Sequence, residues 1–195
     1  LLGLPWVPNQ ATGNAVAGLD INGVGNVALL TSTSSVKVQS DGTVVSTATS
    51  DVQGLTVGPL TLGEITATAT ETLSSDGTVT PTSSLEIDGA RVGNIPVAIS
   101  TQGLNVAGQG VPLPLGGVVN KLLAPADFVL TSVAAQQSKH QIIAPDLELS
   151  GVLPTKGKFG TQNGHFTLTL GFASASLQPS APSLSSPSAS TPPPT

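Results

Sequence analysis

SDGTVVSTATSDVQGLTVGPLTL, residues 40–62, returns at residues 75–97 as SDGTVTPTSSLEIDGARVGNIPV, aligned without a gap at an offset of 75 − 40 = 35 residues. Nine of the 23 aligned positions are identical, and Asp51/Glu86, Val52/Ile87, Leu60/Ile95 and Leu62/Val97 are conservative, so the pair reads as a duplicated hairpin-and-strand unit. Each copy opens on Asp-Gly (Asp41-Gly42 and Asp76-Gly77) between β-forming runs. That is a hairpin signal, because glycine takes positive φ without steric cost. Gly54, Gly58, Gly89 and Gly93 punctuate the strands that follow, where bulges or close strand crossings are expected. A shorter echo lies upstream, where Asp20-Ile21-Asn22-Gly23 parallels Glu86-Ile87-Asp88-Gly89.

Outward from the repeat the period remains that of strands. In ITATATETL (65–73), Ile65, Ala67, Ala69 and Leu73 share one face and Thr66, Thr68, Thr70 and Thr72 the other. Val44, Ala48 and Val52 group together in the same way. One run breaks the pattern: Val118, Val119, Leu122 and Leu123 stand at helical spacing, and Pro125 ends them, which predicts one short helix near 118–124. Strands are expected again at 128–135, 141–153 and 166–175. Two copies are too few for a solenoid, which needs about three. The expected fold is therefore mostly β, a single antiparallel β-sandwich or curled sheet with one short helix. The domain is placed at 15–178, after an extended N-terminal segment (1–14) and before a disordered Pro/Ser/Thr linker (179–195), whose proline density suits neither helix nor sheet.

Composition narrows the function by exclusion. Charged residues are 9% of the chain, against about 25% in a typical soluble domain, so solubility rests on Ser, Thr, Asn and Gln. A net charge of −5 leaves no basic stripe for a phosphate backbone, which speaks against nucleic acid. There is no Cys, hence no disulfide framework or thiolate metal site. There is no Met either, even at the first position, which is read as a removed export signal. LLGLPWV (1–7) is far too short to span a bilayer, and no run approaches about 18 apolar residues, so no transmembrane segment is expected.

Reactive constellations are sparse. His140 and His165 are the only neutral-pH bases and read as polar turn residues; Asp127 or Asp146 could complete a site only if the fold brought them together. No nucleophile elbow, zinc-protease helix, dinucleotide fingerprint or phosphate loop is present. Glu86/Asp88 and Asp146/Glu148 are carboxylate pairs on one strand face, suited to calcium or a glycosidic bond. With one Trp, four Phe and no Tyr, the aromatic platforms of a sugar cleft are missing. Asp20-Ile21-Asn22-Gly23 resembles the opening of a calcium loop, but Thr31 stands where its closing glutamate belongs. The Thr rows at 66–72 suggest an ice-binding lattice, although two hairpin rows do not establish a flat array. Leu153-Pro154-Thr155-Lys156-Gly157 departs from a sortase signal and reads as a loop. No catalytic, metal or cofactor-binding residue is therefore assigned, and no cofactor is expected.

The succession of Ser46–Asp51, Gly54-Leu55-Thr56-Val57-Gly58, Ile87-Asp88-Gly89, Val92-Gly93-Asn94-Ile95-Pro96-Val97, Gly103-Leu104, Val119-Asn120-Lys121-Leu122-Leu123-Ala124-Pro125 and Leu168-Thr169-Leu170-Gly171-Phe172-Ala173-Ser174-Ala175 spans most of residues 20–178. In it the chain resembles uncharacterised secreted actinobacterial surface proteins of the choice-of-anchor type. That resemblance implies a signal peptide, export and variable attachment to the envelope, and it supplies no catalytic residues. The expected function is a non-enzymatic extracellular or cell-surface module with a structural, adhesive or assembly role. Its expected partners are cell-envelope components or further copies of itself. The alternative is a carrier of an apolar or lipid ligand, held between the curled sheet and the short helix and lined by Val118, Val119, Leu122 and Leu123.

Overall fold

The structure, a computed structural model, describes residues 10–21, 25–100, 103–106, 109–113, 118–157 and 160–178. The fold is mostly β with antiparallel sheets. β1 (Gln10–Ile21), β2 (Gly25–Val38), β3 (Val44–Val57), β4 (Leu60–Leu73), β5 (Val79–Asp88), β6 (Arg91–Val92), β7 (Ile95–Ser100), β8 (Gly103–Val106) and β9 (Gln109–Leu113) build one nine-stranded sheet. β5 and β6 both pair with β4, in one continuous register. The two repeat copies form matching turns. Thr43 N–H donates to Asp41 Oδ1 and Thr78 N–H to Asp76 Oδ1, each at 2.9 Å.

The glycines of the repeat have a collective role. Ala17, Leu29, Gln53, Glu64 and Asp88 form one transverse row of cross-strand partners. Beyond them Asp20, Asn26, Thr56, Thr61 and Arg91 form another. Between these rows Gly18, Ala28, Gly54, Gly63 and Gly89 share a line at which every ladder is interrupted. On that line Gly18, Gly54 and Gly89 have φ of 66°, 61° and 64°, a left-handed conformation costly for residues with a Cβ. Core-facing residues alternate by two along each strand but are three apart across the line: Val27 and Leu30, Val52 and Leu55, Leu62 and Ile65, Ile87 and Ala90. The strands that cross the line, β1 to β4 and the run from β5 into β6, change face together, so their register survives while the sheet is creased.

Each half of the creased sheet has its own cover. β10 (Phe128–Val133), β13 (Asp146–Gly157) and β14 (Gly160–Leu170) form one three-stranded sheet; β11 (Gln136–Ser138), β12 (Gln141–Ile143) and β15 (Ser174–Ser176) form another. β12 and β15 lie over β3–β5, on the side of Ile65, Ala67 and Leu85. Phe128 covers the other side: a Cβ on Gly58 would come within 2.5 Å of its ring and one on Gly151 within 2.4 Å. Phe128 also meets Phe166 edge-on, with centroids 5.5 Å apart. The helix α1 (Val118–Leu123) is tied to β10 by Asn120, whose Oδ1 accepts from Leu130 N–H at 2.8 Å and whose Nδ2 donates to Leu130 O at 3.3 Å.

Three expectations need correction. The closing run 166–175 is not one strand: it breaks at Gly171 (φ 81°), where a Cβ would lie 3.2 Å from Ile65, and the chain crosses to another sheet. Residues 141–153 likewise divide between β12 and β13 around Ala144-Pro145. Residues 153–157 are paired strand within β13, not a loop. The residues read as an extended N-terminal segment (1–14) include the start of β1, from Gln10. The expectations for 1–9 and 179–195 fall outside the described residues.

Candidate binding surface

The core-facing side of the large sheet is committed to packing: Leu55, Val57, Leu60, Leu62, Ile65, Ala67 and Ala69 are fully buried. Its other side carries the residues that strand alternation leaves over. Cross-strand register aligns Thr33, Thr49, Thr68 and Ser84 in one row and Ser35, Thr47, Thr70 and Thr82 in the next. Thr72 and Thr80 continue the array towards the Asp-Gly turns, beside Val45 and Lys37. The grid is four strands wide and its two central rows are uncharged. Thr70 Oγ1 donates to Thr47 Oγ1 at 3.3 Å, a hydroxyl contact between neighbouring strands. Strand geometry sets the repeats at about 4.8 Å across the strands and about 7 Å along them.

Towards the crease the same face turns acidic. Asp51 and Glu86 flank Thr66, and Glu64 stands directly opposite Asp88. Gln53 Nε2 bridges this band, donating to Asp51 Oδ2 at 2.9 Å and Glu64 Oε1 at 3.4 Å, and Thr66 Oγ1 donates to Asp51 Oδ1 at 3.5 Å. Glu86 and Asp88, both exposed, stand beside this bridge on β5 as part of the solvated acidic strip. Among the described residues no group of three or more His, Cys, Asp or Glu is placed to hold a metal ion.

The remaining candidates are scattered. His165 is exposed on β14 opposite Val152, while His140 is half-buried between β11 and β12, its Nδ1 buried without a hydrogen-bond partner. Among the described residues no hydrogen bond links either histidine to Asp127 or Asp146. Asp127 instead closes a 3-10 turn in the left-handed region (φ 55°), its N–H donating to Ala124 O at 3.0 Å. Asp146 is buried with Oδ1 unpartnered; burial, and then the charge of Glu148, pushes its carboxyl above the ordinary range. Asp41 and Asp76 go the other way, held below that range by the Thr43 and Thr78 N–H groups they accept. Of the segment that resembles a calcium loop, residues 22–24 lie outside the described residues. Of the four apolar lining candidates, Leu123 is fully buried in the core; the side chains of Val118, Val119 and Leu122 lie outside the described set. A cleft of about 650 Å³ opens elsewhere, at the crease end of β1–β3, lined by Gly18, Leu19, Asp20, Gly25, Asn26, Val27, Ala28, Thr56 and Gly58.

Sequence reading missed Glu71, which is 1% exposed on the core face and accepts the Leu177 backbone N–H, fastening the end of β15 to β4. The signal was present, because Glu71 occupies the apolar parity between Ala69 and Leu73. The Thr66–Thr72 row was legible; that Thr33, Thr47, Thr49 and Thr82 extend it needed the registers. Compared with protein-family models, characterised proteins and solved structures, the chain matches none.

Proposed function

We propose that this is a non-enzymatic secreted or cell-envelope β module with an adhesive and structural role, and that it makes contact through the threonine face of β2–β5. The observation carrying this reading is the in-register grid centred on Thr47, Thr49, Thr68 and Thr70, whose hydroxyls and methyls repeat in two directions without charge in its central rows. A rigid, repetitive face of this kind suits a partner that is itself extended and repetitive, such as an uncharged envelope polymer. It gains little from one small molecule, which would touch only a few hydroxyls. No specific observation favours the apolar carrier, since Leu123 is spent in the packed core and the described cleft lies elsewhere.

Co-sedimentation of the full chain with purified, insoluble envelope polymers tests the reading. Thr49→Lys combined with Thr68→Lys places two ammonium groups directly opposite each other on the grid. The expected result is retention of the wild-type chain and at least about tenfold weaker retention of the variant, a change of about 1.4 kcal/mol. Equal retention of both chains, or retention of neither, refutes the grid as the contact surface.

A further inference from the structure

We propose that the cleft beyond the crease is a binding site for an unacetylated amino sugar, a ligand that carries one ammonium beside several hydroxyls. Its volume of about 650 Å³ lies within the roughly 300–1,000 Å³ of clefts that hold small molecules. Gly18 opens onto it, and a Cβ there would meet nothing within 4 Å. Asp20, Asn26 and Thr56 line the cleft as direct cross-strand neighbours on β1, β2 and β3. Register and alternation put the three on one face, about 4.8 Å from strand to strand. Among the described residues, none of the three side chains has a hydrogen-bond or ion-pair partner. The strip across the crease differs, since there Gln53 bridges Asp51 and Glu64. Leu19 and Val27 supply apolar lining beside the polar row.

Charge selects the ligand class. Among the described residues Asp20 is the only charged group in the lining, so the cleft suits a single positive charge. Asp51, Glu64 and Asp88 stand on the same outer face, where they repel an anion and draw a cation. Arg91, the one cation of the Asp20 row, is two strands beyond Thr56. A metal ion is poorly served, because among the described residues no three His, Cys, Asp or Glu converge. An ammonium is well served, since it donates to the Asp20 carboxylate in a charge-assisted bond. The Asn26 amide and the Thr56 hydroxyl, which both donate and accept, then meet hydroxyls further along the ligand. An amino sugar presents amine and hydroxyls in succession around one ring, and its C–H face suits Leu19 and Val27. A hydroxyl-free amine leaves Asn26 and Thr56 unused, whereas an acetylated sugar leaves Asp20 unpaired.

Calorimetric titration of the full chain with glucosamine disaccharide, its fully N-acetylated counterpart and butanediamine provides the test. The glucosamine disaccharide is expected to bind saturably with a Kd of about 1 mM or tighter. The acetylated sugar and the diamine are each expected to bind at least about tenfold more weakly. Asp20→Asn removes the charge, keeps the shape and lies at an exposed position, so the melting temperature should hold while affinity for the disaccharide falls about tenfold. Glu86→Gln removes an equal charge from an exposed position across the crease and should change that affinity by less than about twofold. No saturable binding of the glucosamine disaccharide, equal affinity for either comparison ligand, or equal losses from Asp20→Asn and Glu86→Gln overturns the proposal. The chain carrying Thr49→Lys and Thr68→Lys should keep its affinity for the disaccharide, because both positions lie across the crease from the cleft. Asp20→Asn likewise leaves the threonine face intact, so this test and that of the face fail separately.

Discussion

Replacing Gly54 by alanine tests whether the crease is held by close approach of neighbouring strands. Gly54 has φ of +61°, and a Cβ there would sit 2.8 Å from the Cβ of Ala28 on β2. The left-handed conformation costs an alanine roughly 1–2 kcal/mol. The contact adds about 1–3 kcal/mol of overpacking. Loss of freedom in the unfolded chain returns about 0.4–1 kcal/mol. The expected net destabilisation is about 2–3 kcal/mol, or a melting temperature lowered by about 5–10 °C in a chain of this size. Gly77→Ala is the control, because Gly77 has φ of +87° but nothing within 4 Å of its would-be Cβ, leaving about 1 kcal/mol of backbone cost. Ala28→Gly costs about 0.5–1 kcal/mol alone. Combined with Gly54→Ala it should remove the contact, giving a coupling of about 1–2 kcal/mol in a double-mutant cycle. Urea unfolding followed by far-ultraviolet circular dichroism measures all four chains. If Gly54→Ala costs no more than Gly77→Ala and the cycle shows no coupling, the sheet is not creased by glycine-permitted contact and the argument fails.

Glu71→Ala leaves the Leu177 N–H without its acceptor and should cost about 1–3 kcal/mol, with amide exchange accelerating first at residues 174–177; Glu71→Gln keeps an acceptor and should recover most of the loss. For Asp146 the sign follows from a folded pKa raised above the ordinary 3.8: its favourable contribution is present below that value and is lost as pH rises through the folded pKa. Asp146→Asn should therefore raise the melting temperature relative to wild type near pH 7 and change it least at pH 3; a constant difference across that range refutes this assignment. Asp41 and Asp76 have lowered pKa values, so their contribution runs oppositely, present above 3.8 and lost as pH falls through the folded pKa.

The strands were legible because half-burial leaves a period of two. Ile65, Ala67 and Ala69 are buried and Thr66, Thr68 and Thr70 are not, as the alternation of 65–73 requires. The crease was only half legible. Gly54 and Gly89 marked departures from regular strand, but nothing local tells that Gly18, Ala28 and Gly63 stand in the same line, since that depends on four pairings. The break at Gly171 was hidden for a related reason. FTLTLGFASA has strand composition throughout, and only the approach of Ile65, Ala67 and Leu85 from another sheet makes a Cβ-less, left-handed residue necessary there. The extent of the threonine grid was not legible, because a row of threonines on one strand is also ordinary β composition.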